Sequence, residues 1–164
     1  MSALSANPER YSLALITDDT DLFPEFRKHL GGQFRVSLAS TKGEIQATLE
    51  NPEMHAIVFD LDCVGEGLSD GLEVLTCMRE IREDIVLIAF TRTTNRAHHL
   101  KASQAGADEF FLFPLNYDES RVVLSRSIDK RALSTPASVP SLAARARFIC
   151  IIADSVRPYH RLSA

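Results

Sequence analysis

Five residues at the ends of apolar runs carry the chemistry this sequence could perform. Asp18 and Asp19 directly follow the apolar run that starts at Tyr11. Asp60 ends the run Ala-Ile-Val-Phe, and Asp62 stands two residues further on. Thr91 ends a third run, Ile-Val-Leu-Ile-Ala-Phe. Carboxylates brought within a few ångströms repel one another, and their pKa values rise unless a cation relieves them. Mg²⁺ is suited to relieve them, because it takes hard oxygen ligands, needs one or two carboxylates and keeps waters. Asp18, Asp19, Asp60 and Asp62 are therefore the candidate metal ligands. A cation at that place also neutralises an incoming phosphoryl group, so Asp60 could act as a nucleophile and become an aspartyl-phosphate. The Thr91 hydroxyl could then hydrogen-bond a phosphoryl oxygen. A single aspartate after a strand is more often a helix cap or a turn former. The ordered set is more specific than any one member.

The elements that must position these residues can be read from periodicity. Residues 11–17, 34–39, 55–60, 85–90 and 110–113 read as strands, four of them rich in consecutive apolar residues as in a sheet buried on both faces. Helices are predicted between and after them. The first, over about 21–30, places Phe23, Phe26 and Leu30 on one face and tolerates Pro24 in its first turn. Gly31-Gly32 ends it. Thr41-Lys-Gly-Glu44 is a capping-box pattern opening the second, which carries Ile45 and Leu49. The third runs over about 71–82 with Val74, Met78 and Ile81 inward, after a loop containing Gly65, Gly67 and Gly71. The fourth covers about 95–104, and the fifth starts at Asn116 and reaches at least Ala132. Pro114 stops the last strand.

Strict β/α alternation with short connections demands an α/β fold: a doubly wound, flavodoxin-like parallel sheet, most commonly in strand order 2-1-3-4-5. In that order the first and third strands are neighbours, and Asp18, Asp19 and Asp60 converge at one end of the sheet. The domain is expected over residues 10–133. A Ser/Pro-rich linker follows over 134–141, and 142–164 form a C-terminal tail or the start of an output domain.

Composition narrows the class. The chain has 164 residues, 45% hydrophobic, a net charge of −4 and a pI near 5.7, with no basic footprint for direct nucleic-acid binding. Cys63, Cys77 and Cys150 are odd in number and lack metal spacing. No apolar run approaches membrane-spanning length, and the first residues have neither the basic start nor the apolar core of a secretory signal. A reduced, cytoplasmic location is the expectation.

On these residues the chain resembles the receiver domain of bacterial two-component response regulators, over about residues 11–133. Leu-Ile-Thr-Asp18-Asp19 is similar to the family's acidic pair, and Ile-Val-Phe-Asp60-Leu-Asp62 to its phosphoacceptor segment. Asp70-Gly71-Leu72-Glu73 resembles its Asp-Gly-x-Glu turn, and Gly106-Ala-Asp-Glu-Phe110 through Pro114 its Gly-Ala-Asp-Asp-Tyr stretch before Lys-Pro. The resemblance implies Mg²⁺ binding, phosphorylation of Asp60 by a sensor histidine kinase, and a switch made by Thr91 and Phe110. It also implies an output domain or a second copy of the chain as partner, and no separate enzymatic substrate.

The sequence departs from the family at three places. Phe113 replaces the lysine that pairs with the phosphoryl group, so a charge-assisted contact is lost. The loop after Asp62 is longer and lacks Met-Pro, and Arg92 puts a bulky cation at the pocket rim where a small residue is common. The tail, Phe148-Ile-Cys-Ile-Ile-Ala-Asp-Ser, is weakly similar to the segment opening the AAA+ domain of sigma-54-dependent activators, with Ala153 in place of a glycine. That similarity implies a role in transcription regulation.

Two other classes compete. A pseudo-receiver would keep the fold and act by protein contacts alone, which the missing lysine favours. An aspartate-nucleophile phosphatase or phosphotransferase would use Asp60 and Asp62, but the chain is short for a cap or substrate domain. His98-His99 are adjacent on a helix, point about 100° apart and cannot share a metal. The strip Phe111, Phe113, Val122 and Val123 reads either as core or as a dimer surface.

Overall fold

A computed structural model describes residues 11–64, 68–92 and 96–134. The chain begins β1 (Tyr11–Ile16), α1 (Leu22–Leu30), β2 (Phe34–Ala39), α2 (Lys42–Glu50) and β3 (Ala56–Asp60). A single 3₁₀ turn (Leu61–Cys63) follows. Then come α3 (Leu68–Ile81), β4 (Val86–Thr91), α4 (Arg96–Ala105), β5 (Glu109–Leu112) and α5 (Tyr117–Ser134). The expected linker and tail lie, past Ser134, outside the described residues, as do Cys150 and Gly65 and Gly67 of the loop. None of the described helices is long and apolar enough to cross a membrane.

The five strands form one parallel sheet in the order β2-β1-β3-β4-β5. Side chains alternate across it, which divides the core in two. Ala14, Ile16, Ile57, Phe59, Leu87 and Ala89 face Ile45 and Leu49 of α2, Val74 and Met78 of α3, and Ala102 of α4. Leu13, Leu15, Val58, Ile88 and Phe90 face Phe26 and Leu30 of α1 and Leu124 and Ile128 of α5. The central strands are buried on both sides because helices cover both faces, which is why their sequence is apolar without alternation. The edge strand β2 alternates instead. Phe111 of the apolar strip belongs to this second core, while Val122 is exposed.

Local signals in the sequence act as read. The Thr41 hydroxyl accepts the Glu44 N–H, and Glu44 Oε1 accepts the Thr41 N–H in return, so α2 has its capping box. One boundary moves. α3 begins at Leu68, not at about 71, so Gly71 lies inside the helix. A Cβ at Gly71 would stand 2.3 Å from the carbonyl oxygen of Leu61, so this glycine marks a close approach of α3 to the turn after β3.

Arg82, only 7% exposed, fastens the other end of the domain. Its Nη1 donates to the Leu49 and Asn51 carbonyls (3.0 and 2.8 Å), its Nη2 to the Met54 carbonyl (3.2 Å), and its Nε to Asp84 (2.9 Å). Arg82→Met is expected to lower stability by about 3 kcal/mol in denaturant unfolding, because it removes the guanidinium donors to the Leu49 and Met54 carbonyls and the partner of Asp84, while the Asn51 carbonyl keeps the Met54 N–H. The hydrogen bond from Arg82 holds Asp84 below the ordinary carboxylate range. A depressed carboxylate contributes stability above its unfolded pKa and loses it as pH falls through the folded one. The Arg82–Asp84 contribution should therefore be complete at neutral pH and disappear only below about pH 4. Acid unfolding that starts at the same pH in Arg82→Met and wild type would contradict this.

Candidate functional site

The carboxyl ends of β1, β3 and β4 meet at one edge of the sheet, and the sheet register determines which side chains face one another there. Ile16 pairs with Phe59, so the next residue of each strand, Thr17 and Asp60, stand side by side. Thr91 pairs with Leu112, so Arg92 comes beside Phe113.

Asp60 is 2% exposed, the most deeply placed carboxylate of the site. Its Oδ2 accepts the Thr17 hydroxyl at 2.7 Å, and its Oδ1 accepts the backbone N–H of Asp62 at 2.9 Å. Burial raises its pKa above the ordinary carboxylate value; the bonds from Thr17 and Asp62 N–H and the charge of Arg92 oppose that rise, and the Asp62 charge adds to it. Thr17 was not among the residues singled out from the sequence. Its signal was a hydroxyl at the end of an otherwise apolar strand, next to the acidic pair. It is fully buried, and its Oγ also accepts the Asp19 N–H at 3.1 Å, so one side chain ties the β1–α1 turn to Asp60.

Asp18 and Asp19 are both half-buried at the end of β1. Asp19 Oδ1 accepts the Asp21 N–H, which helps start α1. Its Oδ2 receives the Arg92 guanidinium at 2.9 Å, and the same Nη2 lies 3.8 Å from Asp60 Oδ2. Arg92 thus reaches from the rim between two of the carboxylates. Its Cζ lies 4.7 Å from the centroid of the Phe113 ring, and Phe113 in turn stacks on Phe90. A guanidinium over an aromatic face is an electrostatically favourable arrangement. Phe113 thereby supports a cation contributed by the neighbouring strand.

Asp62 is turned to β4. Its Oδ2 accepts the Thr91 hydroxyl at 2.8 Å and the Arg92 backbone N–H at 2.9 Å. Phe110, the expected switch aromatic, is half-buried against the α2–α4 core and stacks under the exposed His99 ring at 5.3 Å. Among the described residues, no three His, Cys, Asp or Glu side chains are gathered closely enough to hold a metal ion. The donor chemistry of Asp19 and Asp60 nevertheless suits Mg²⁺: both are hard carboxylates already converging on one cation, and Mg²⁺ needs no more than two from a protein.

The sequence matches no protein-family model and no curated protein. Solved structures do match. A CheY-like response regulator receiver domain protein from Methanospirillum hungatei JF-1 is 21% identical, with a TM-score of 0.67 over 77% of this chain and all of that one. A response regulator receiver domain protein from Clostridium thermocellum is 16% identical, with a TM-score of 0.66 over 76% of this chain and 98% of its own. The beryllofluoride-activated NtrC4 receiver domain, solved in solution as a dimer, is 18% identical with a TM-score of 0.65 over 74% of this chain and 98% of its own. Five parallel strands in the order 2-1-3-4-5, flanked by five helices, with acids at the ends of β1 and β3, give this chain the fold of the response-regulator receiver domains.

Proposed function

We propose that the chain is a receiver domain of a two-component signalling system and that Asp60 is its phosphoacceptor. The observation that carries this reading is the placement of Asp60. It is a nearly inaccessible carboxylate at the carboxyl end of the central strand, held through both oxygens and flanked by Asp19. A carboxylate oxygen of Asp60 attacks the phosphorus of a phosphohistidine on a sensor kinase. The P–O bond forms as the P–N bond breaks, and the imidazole leaves. Thr17 orients the acceptor carboxylate. Asp19 and Asp60, with Asp18 beside them at the end of β1, are the residues that would hold Mg²⁺, the first two as its direct carboxylates; when bound it offsets the charge of the incoming phosphoryl group. Thr91 and Phe110 form the switch, and an output domain or a second copy of the chain receives the signal to regulate transcription. The domain is a regulator and has no separate substrate of its own.

The test is incubation with Mg²⁺ and acetyl phosphate. Intact mass should rise by one phosphoryl group, mapped to Asp60. No adduct would overturn the reading. A second reading, a pseudo-receiver acting by contacts alone, is favoured by the Arg92 guanidinium already offsetting part of the carboxylate charge and by Phe113 in the lysine's place. Unmodified Asp60 together with retained binding to an output partner would support it.

A further inference from the structure

We propose that Arg92 is the resident counter-cation of this pocket, and that it and a divalent cation exclude one another at Asp19 and Asp60. Three observations carry this. First, one guanidinium nitrogen spans both acids, 2.9 Å from Asp19 Oδ2 and 3.8 Å from Asp60 Oδ2. Mg²⁺ takes carboxylate oxygens at about 2.1 Å, so it and the guanidinium nitrogen cannot both stand between these two oxygens. Second, the guanidinium is seated. The Phe113 ring lies under it at 4.7 Å, and that ring is itself stacked on the buried Phe90. Third, the backbone N–H of Arg92 donates to Asp62 Oδ2, which fixes the base of the side chain at the end of β4. The cation is thus held from both its base and its face, and displacing it breaks a charge-assisted bond.

The consequence is a gate on cation entry. With Arg92 in place, part of the negative charge of Asp19 and Asp60 is already offset, and Mg²⁺ gains less by binding there. With Arg92 turned out, the acids repel each other and the divalent cation relieves them. Phe113 is the positioning residue of the gate.

This inference rests on reading Asp19 and Asp60 as cation-holding carboxylates, and its test needs no phosphoryl donor. Mg²⁺ is titrated calorimetrically into the whole chain as wild type, Arg92→Gln and Phe113→Leu. Arg92→Gln is expected to bind Mg²⁺ about tenfold more tightly than wild type, because an opposing charge has gone. Phe113→Leu keeps the guanidinium but removes its seat, and a gain of a few-fold is expected. Arg92 lies at the rim with its side chain 35% exposed, so the variant retains the core. Binding to Arg92→Gln no tighter than to wild type, which includes binding to neither, overturns the proposal. The two claims fail separately: tighter binding to Arg92→Gln with an unphosphorylated Asp60 would sustain the gate and overturn the phosphoacceptor.

Discussion

Asp60→Asn should be unable to form the phosphoryl adduct and, at neutral pH, more stable than wild type by on the order of 1 kcal/mol. The two effects have one origin. Burial opposes ionisation of Asp60, and its raised pKa records that cost. A carboxyl whose folded pKa lies above its unfolded value contributes stability below the unfolded pKa and loses it as pH rises through the folded one. Above that window wild type carries the cost of a buried charge, and Asn does not. Part of the gain is cancelled. Asn offers one oxygen where the carboxylate offers two, so the Thr17 hydroxyl and the Asp62 N–H cannot both keep their acceptor. Losing one such bond costs about 1 kcal/mol. The measurement is denaturant unfolding from about pH 4, the ordinary carboxyl value, upward to neutral pH. The difference between variant and wild type should grow with pH. An Asp60→Asn protein that is less stable throughout, or equally displaced at every pH, would show that Thr17, Asp62 and Arg92 more than compensate the burial.

Gly71→Ala should be strongly destabilising, by about 3 kcal/mol or more, although helix propensity alone predicts the opposite sign. Gly71 sits within α3, where exchanging glycine for alanine normally stabilises by about 1 kcal/mol. The tertiary contact reverses this. The added Cβ would meet the Leu61 carbonyl oxygen at 2.3 Å and its carbonyl carbon at 3.0 Å. Both are backbone atoms of the turn that directly follows Asp60, and neither can rotate aside. Relief requires α3 or that turn to shift, and the turn carries the Asp62 N–H that holds Asp60 Oδ1. The substitution should therefore weaken the fold and also loosen the acceptor. Urea unfolding of Gly71→Ala decides between the two signs. A neutral or stabilised variant would mean that α3 can move off the turn at little cost.

The contrast at Gly71 illustrates what a sequence can carry. Along the chain this residue looks like one of several glycines in a loop, because nothing in the local pattern distinguishes flexibility from close packing. The helix starts earlier, and the glycine makes room for the backbone of Leu61, which the fold brings against it. Apolar runs, by contrast, identified four of the five described strands and alternation identified β2, and helix faces such as Val74–Met78 and Ile45–Leu49 were legible because their periodicity is local. The capping box was legible for the same reason: both partners lie within one turn.

At the site the division is equally physical. The alternation of strands and helices, with the handedness of βαβ crossovers, was enough to bring Asp18, Asp19 and Asp60 to one edge and to set Thr91 beside them. Their side-chain partners were not legible. Thr91 bonds Asp62, Thr17 bonds Asp60, and Arg92 crosses to Asp19 over the Phe113 ring. These pairings depend on a register of one residue between neighbouring strands and on the direction taken by a long, flexible arginine, and neither has a signature in local periodicity. Phe113 in the lysine's position read as the loss of a cation. Arg92 read as a cation at the pocket rim; only the packed structure turns it in to Asp19 and Asp60 over the Phe113 ring, because contacts across neighbouring strands are set by their packing in space.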